Sequence, residues 1–252
     1  MDVSDRRMQV QLTQEARIAS DFSYIRAILA VVGFVSALCA PPTRAGRFFS
    51  AVRLDFARRA CYTVFKTMGG NAMRNSDICL VPASAALAPA VTDYYRRNRE
   101  FLRPFDPVRE DAFFTLERQR EILRAEEAAR ASRTGFRFYI APADSPETVI
   151  GSIGLNNIVW GAFRSAFLGY KLDAAYLNRG YMTAAVGMVV RYAFAEAGLH
   201  RVEANVMPRN RPSLRVLEKN GFINEGLSRC YLNINGVWED HIHMVRINFA
   251  MH

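Results

Sequence analysis

The sequence predicts an α/β fold built on a twisted, mixed and mostly antiparallel sheet packed with helices. Three observations carry that prediction. Residues 166–222 run strand, glycine turn, long helix, strand and short helix in direct succession. Strand-length apolar or alternating runs recur on both sides of this block. Half of the 252 residues are apolar, enough to build a packed core.

The elements begin near residue 77. Ile78, Leu80 and Pro82 read as the first strand. Two helices are expected over 86–100 and 111–133, the second with Glu126 and Glu127 among solvated charges. Strands follow at 137–140 and 149–157, joined by a turn at 142–146. The short aromatic-rich run Phe167, Leu168, Tyr170, Leu172 has strand length and stops at Asp173. After the turn at 177–183, Met182, Val186, Val189 and Ala193 recur at helical spacing on one face, and Gly198 supplies a stop. Val202, Ala204 and Val206 alternate with Arg201, Glu203 and Asn205, which makes 200–207 a strand with one apolar and one polar face. Asn210 and Pro212 open a second helix that ends at Asn220-Gly221. Strands at 222–230 and 237–248 complete the sheet.

Residues 1–72 stand apart. They hold ten basic and five acidic residues, more than half of the chain's net charge of +9. We read 1–72 as a basic extension and 73–252 as the folded domain. The apolar run 27–40 is too short to span a bilayer. Three readings stay open for the extension: unselected sequence upstream of a start at Met68 or Met73, an interfacial or partner-binding helix, or a cleaved signal. Gly69-Gly70-Asn71 would be the linker. The basic balance favours an acidic ligand or setting. Cys39, Cys61, Cys79 and Cys230 show no C-x-x-C pairing, so neither a metal cluster nor a disulfide framework is indicated. No P-loop, G-x-S-x-G elbow or internal repeat is present.

The turn before the long helix has two readings. It is an ordinary glycine turn, or it is an anion site, since first-turn N–H groups lack intrahelical partners and face the positive end of the macrodipole. Gly180 would let a phosphate approach the backbone, and Arg179 would add a charge-assisted contact.

Strand, Arg179-Gly180-Tyr181-Met182 turn, helix, strand, Asn210-Arg211-Pro212-Ser213 helix and Lys219-Asn220-Gly221-Phe222, in that order, resemble the GCN5-related N-acetyltransferase superfamily. The resemblance is nearer to its RimJ/RimL branch, which acetylates the N-terminal amine of ribosomal proteins. Residues 93–105, 157–163, Glu225-Gly226 and 231–241 resemble the same branch, so about 77–247 is covered. The resemblance implies the acetyltransferase fold, with helices on both sheet faces and strands 166–172 and 200–207 splayed apart. It implies acetyl-CoA as co-substrate, no metal, a ribosomal-protein N-terminus, most simply alanine-first, as acceptor, possible association with the ribosome, and a cytoplasmic location without a membrane span.

Site residues follow by resemblance. Leu172, Asn178, Arg179, Gly180, Tyr181, Met182 and Thr183 would hold the pantetheine and pyrophosphate. Asn210 would contact the pantetheine, or simply cap its helix. Ser213 would protonate the leaving thiolate, or be an ordinary first-turn serine. Asn157, Tyr231 and Asp240 would hold the acceptor. The turn pattern Q/R-x-x-G-x-G/A is met only at Gly180, with Leu177 and Met182 at its ends. Asn205 stands where a carboxylate base is often found, and Leu217 where a tyrosine acid is often found. Glu203, on the same strand face as Asn205, would anchor a water or pair with an arginine. A protein α-amine, with pKa about 7.7–8.0, needs only weak base assistance. His241 and His243 share a strand face without a third metal ligand in view, and Cys230 reads as a strand residue. Acetylation of another small amine, and a non-catalytic acyl-CoA-binding or ribosome-associated module, remain alternatives.

Overall fold

The structure is a computed structural model, and it describes residues 73–251. The basic extension, its apolar run and the expected linker lie outside the described residues. The strands are β1 Met73–Arg74, β2 Ile78–Pro82, β3 Phe136–Pro142, β4 Gly151–Val159, β5 Ser165–Leu172, β6 Arg201–Val206, β7 Ile223–Ile234 and β8 Val237–Ile247. The helices are α1 Ala88–Arg97, α2 Arg99–Leu102, α3 Leu116–Ala131, α4 Tyr181–Ala195 and α5 Arg211–Lys219. All eight strands form one sheet in the order β1-β2-β3-β4-β5-β6-β8-β7. Every neighbouring pair is antiparallel except β5 and β6.

Strand alternation divides the core into two layers. Phe136, Phe138 and Ile140 of β3 join Leu168, Val202, Ala204 and Met244 against α4 and α5. Tyr192 of α4 meets Phe136 and Phe138 edge-on, at 5.3 and 5.2 Å between ring centroids. Tyr139, on the other face of β3, packs with Val91, Tyr94 and Leu123 of α1 and α3. Helices therefore cover both faces. Gly187 lets α5 come close to α4, because a Cβ there would lie 2.9 Å from Asn220 Oδ1.

Several boundaries differ from the sequence reading for identifiable reasons. The expected helix 86–100 breaks at Asn98, whose side-chain amide turns back to the Tyr94 carbonyl. The expected helix 111–133 starts at Leu116, where extended Thr115 caps it by accepting from the Arg118 N–H. Residues 111–114 form only a 3-10 turn. Glu126 is not among solvated charges. It accepts from Tyr139 Oη at 3.0 Å and pairs with Arg137 at 3.3 Å, and burial raises its carboxyl pKa despite that arginine. β1 was not anticipated, and β7 runs four residues past its expected end at 230.

Candidate active site

The turn between β5 and α4 is built from its backbone. β5 ends at Leu172, and the Asp173 carboxylate caps one 3-10 turn over 174–176 by accepting from the Ala175 N–H at 2.9 Å. Asn178 and Gly180 then take left-handed φ values of 59° and 79°. Both residue types tolerate that conformation, glycine because it has no Cβ. α4 starts at once and has no side-chain cap. Its first-turn N–H groups, from Tyr181 to Thr183, have no side-chain cap, and a Cβ built on Gly180 beside them would find nothing within 4 Å. Met182 is buried in the core and Leu172 packs against it, so both can serve a ligand only through their backbones. Arg179 folds back onto the turn. Its guanidinium donates to the Ala175 carbonyl at 2.9 Å and lies 5.1 Å over the Tyr176 ring.

Helix α1 holds this turn in place. Arg97 Nε donates to Asp173 Oδ2 at 2.7 Å, and Asn98 Oδ1 accepts from the Ala174 N–H at 3.0 Å. Burial alone would raise the Asp173 carboxyl pKa. Hydrogen bonds from Asn98, the Ala175 N–H and Arg97 outweigh it and hold the group below the usual carboxylate range.

Beside the turn, the sheet opens. β5 and β6 pair only at Ser165↔Arg201, Ala166↔Val202 and Phe167↔Glu203. Beyond Phe167 the strands diverge, so the β6-facing edge of residues 168–172 has no ladder partner. An extended ligand arm carrying amides can pair with such an edge.

Across the gap stands α5. Asn210 caps it, its Oδ1 accepting from the Ser213 N–H at 3.2 Å. Ser213 Oγ lies 2.7 Å from the Tyr170 hydroxyl of β5. Leu217 is wholly buried in the core.

The opposite face of β6, β8 and β7 is polar. Asn205 lies across from His243 in the ladder. Asn205 Nδ2 donates to the Tyr231 hydroxyl at 3.3 Å, and its Oδ1 is buried without a hydrogen-bond partner. The Tyr231 ring sits 5.7 Å from that of His241 and 4.9 Å from that of His243. His243 Nε2 is 2.7 Å from Ser228 Oγ, and His241 Nδ1 donates to the Glu239 carbonyl at 3.0 Å. Glu203 is paired with Arg201 at 3.1 Å, and Arg201 also grips Glu225 with two N–H groups. Asp240 acts on the backbone: its Oδ1 accepts from the Cys230 N–H at 2.8 Å. Cys230 has φ 48° and lies in a bulge of β7, so Asp240 pins the bulge that presents Tyr231. Asn157 is elsewhere. It is exposed at a bulge in β4, three intervening strands and roughly 19 Å of sheet from β7.

Residues 77–223 match the acetyltransferase (GNAT) domain family. The chain belongs to the GNAT acetyltransferases. It is 46% identical to the "Probable N-acetyltransferase YjcK" of Bacillus subtilis over 144 residues, 57% of this chain and 79% of that protein. The ribosomal-protein-S5-alanine acetyltransferase of Vibrio fischeri superposes with a TM-score of 0.69 at 32% identity, over 71% of this chain and 98% of that one. Mycobacterium smegmatis RimJ, solved with a CoA disulfide, superposes at 0.64 with 28% identity, over 69% and 83%.

The GNAT fold thus places the turn, the β5/β6 gap and Ser213 together on the α4/α5 side of β5, and the Asn205–Tyr231 pair on the opposite face of β6. Sequence reasoning missed Arg97, Asn98 and Asp173 as supports of the turn, although all three were in view as polar residues. It also missed a cleft of about 210 Å³ lined by Tyr95, Arg99, Arg103, Asp106, Phe113 and Phe114. That wall is tied to β5 by the Lys171–Asp106 ion pair and to the β7–β8 hairpin by Asn235, which donates to the Arg103 carbonyl at 2.9 Å. Among the described residues no cluster of three or more histidines, cysteines or acids could hold a metal. No described helix is long and apolar enough to cross a membrane.

Proposed function

We propose that this GNAT enzyme moves the acetyl group of acetyl-CoA to a protein N-terminal α-amine, and that the acceptor is an alanine-first ribosomal protein of the small subunit. The carrying observation for acetyl-CoA is the β5/β6 gap leading to the uncapped start of α4. Backbone N–H groups there suit a pyrophosphate, and the free edge of 168–172 suits the amides of pantetheine. For the acceptor, support comes from 32% identity across nearly the whole Vibrio fischeri S5-alanine enzyme. A cytoplasmic location and contact with the ribosome follow from that reading.

The residues divide the chemistry as follows. Asn205 Oδ1, buried and unpartnered, accepts an N–H of the incoming amine. Tyr231 and the histidines beside it line the space around that amine. Glu203 is held by Arg201, so the α-amine enters neutral by virtue of its own low pKa rather than through a strong carboxylate base. Ser213, at the mouth of the gap, faces the departing sulfur and supplies its proton. Asp240 keeps Tyr231 in position through the bulge.

The test is intact-mass measurement of small-subunit ribosomal proteins from cells with and without this gene. One alanine-first protein should lose 42 mass units' worth of acetylation, about one acetyl group, in the deletion. Unchanged masses throughout would overturn the acceptor assignment, and purified protein that fails to turn over acetyl-CoA with any alanine-first peptide would overturn the transfer itself.

A further inference from the structure

Leu217, where a tyrosine acid is often found, is wholly buried. A phenol reaches the same helix from another direction. Leu168, Tyr170 and Leu172 share one face of β5 and turn toward the α4/α5 layer. Tyr170 lies three residues past the last β5/β6 pair, so it stands at the open gap. Its hydroxyl is 2.7 Å from Ser213 Oγ and 3.2 Å from the Ser213 carbonyl oxygen. Among the described residues Tyr170 is the one hydrogen-bond partner of Ser213 Oγ.

We propose that Tyr170 is a positioning residue for acetyl transfer: its phenol donates to Ser213 Oγ and so leaves the serine's own hydrogen directed at the departing sulfur. The inference rests on the reading of Ser213 as the residue beside that sulfur. A serine hydroxyl has one hydrogen and two lone pairs. Left alone in a first helical turn, it tends to donate back to a nearby carbonyl, which spends the hydrogen. The 2.7 Å contact, the ordinary length for O–H···O, fits either hydroxyl as donor; with the phenol's single hydrogen in this shorter contact rather than on the Ser213 carbonyl at 3.2 Å, Oγ is held as the acceptor and that rotation is restricted. Burial pushes the Tyr170 pKa up to about 12, so the phenol keeps its proton at neutral pH and is available as the donor.

The step balances without a further reagent. The nitrogen–carbon bond forms and the carbon–sulfur bond breaks, with its electron pair moving to sulfur. Ser213 gives sulfur a proton, and the proton lost by the amine returns to Ser213 through solvent. Tyr170 ends as it began.

The experiment uses the full chain with Tyr170→Phe, Ser213→Ala and the double variant. Phenylalanine keeps the ring and its packing, and thermal melts with acetyl-CoA calorimetry establish the folded fraction. Steady-state rates with an alanine-first peptide are normalised to that fraction. Ser213→Ala should lower kcat about 10- to 100-fold. Tyr170→Phe should lower it about five- to tenfold, the worth of one hydrogen bond, with the acetyl-CoA KM unchanged. The double variant should be no slower than Ser213→Ala alone. A tyrosine that only supports the fold would lower Tm and leave kcat per folded molecule at the wild-type value. That result, a multiplicative double variant, or faster turnover in Tyr170→Phe would overturn the inference while Ser213 stands. Wild-type kcat in Ser213→Ala would remove Ser213 first, and the inference with it.

Discussion

Gly180 separates the two readings of the turn most directly. A Cβ added there meets no protein atom within 4 Å, so a substitution costs backbone strain rather than a clash. At φ 79° that strain is about 1–2 kcal/mol for alanine, or roughly 2–8 °C in Tm for a domain of this size. Valine would confound the test, since a β-branched residue at positive φ is a severe outlier. Asparagine tolerates the left-handed region, as Asn178 does two residues earlier, yet fills the space in front of the α4 amides. Losing one charge-assisted hydrogen bond to the pyrophosphate costs about 1.5–3 kcal/mol, which is about 10- to 150-fold in affinity. Gly180→Asn should therefore melt within a few degrees of wild type and bind acetyl-CoA at least tenfold more weakly by calorimetry. A folded Gly180→Asn variant with wild-type affinity would take the pyrophosphate away from this helix terminus.

Three further outcomes are expected. Because the Asp173 carboxyl pKa is depressed in the fold, its contribution is complete above the unfolded value of about 3.9 and is lost as pH falls through the folded value. The Tm gap between wild type and Asp173→Asn, about 1–2 kcal/mol or roughly 2–8 °C, should hold from pH 8 to 5, begin to narrow below about pH 4 and close as the pH falls through the folded value; a gap that does not narrow at all below pH 4 would refute the ion-pair account. A chain beginning at Met73 retains β1, whose Met73 pairs with Leu80, and it should fold and turn over acetyl-CoA, with insolubility or lost binding arguing that 1–72 belongs to the domain. Asn205→Ala should reduce kcat/KM for the acceptor peptide about tenfold and leave acetyl-CoA affinity intact; a change confined to acetyl-CoA would move Asn205 out of the acceptor side.

Local patterns carried the scaffold. Met182, Val186, Val189 and Ala193 are buried along one face of α4, as their spacing required. Val202, Ala204 and Val206 are buried while Arg201, Glu203 and Asn205 line the other face. Both are short-range periodicities. The features that were not legible depend on partners distant in the chain. Asn98 ends α1 while its side-chain Oδ1 accepts from the Ala174 N–H, 76 residues away. Glu126 is drawn under α3 by Tyr139 and Arg137 of β3. Tyr170 and Ser213, 43 residues apart, meet on the α4/α5 side of the sheet where β5 no longer pairs with β6. Arg179 was legible as a cation, but not that the Tyr176 ring and the Ala175 carbonyl would hold it.

The two halves of the site are written in different chemical languages, and this explains why the family is easier to read than the acceptor. On the proposed reading the acetyl-CoA half would work through main-chain groups: an unpaired strand edge, an uncapped helix start and a turn set by two residues at positive φ. Main-chain donors do not change with residue type, so the local demands fall on the few positions where conformation is special, such as Gly180. On the same reading the acceptor half would work through side chains of β6, β7 and β8, with the segment after α2 joined to the β7–β8 hairpin by Asn235, which donates to the Arg103 main-chain carbonyl, and to β5 by Lys171 and Asp106. Each of those contacts spans 65 residues or more, and each can be altered by one substitution without disturbing the cofactor turn. On the proposed reading, acceptor choice would lie in the parts of this fold that sequence periodicity describes least, and substitutions at Asp106 and Asn235 should change acceptor preference in peptide assays while leaving acetyl-CoA binding untouched.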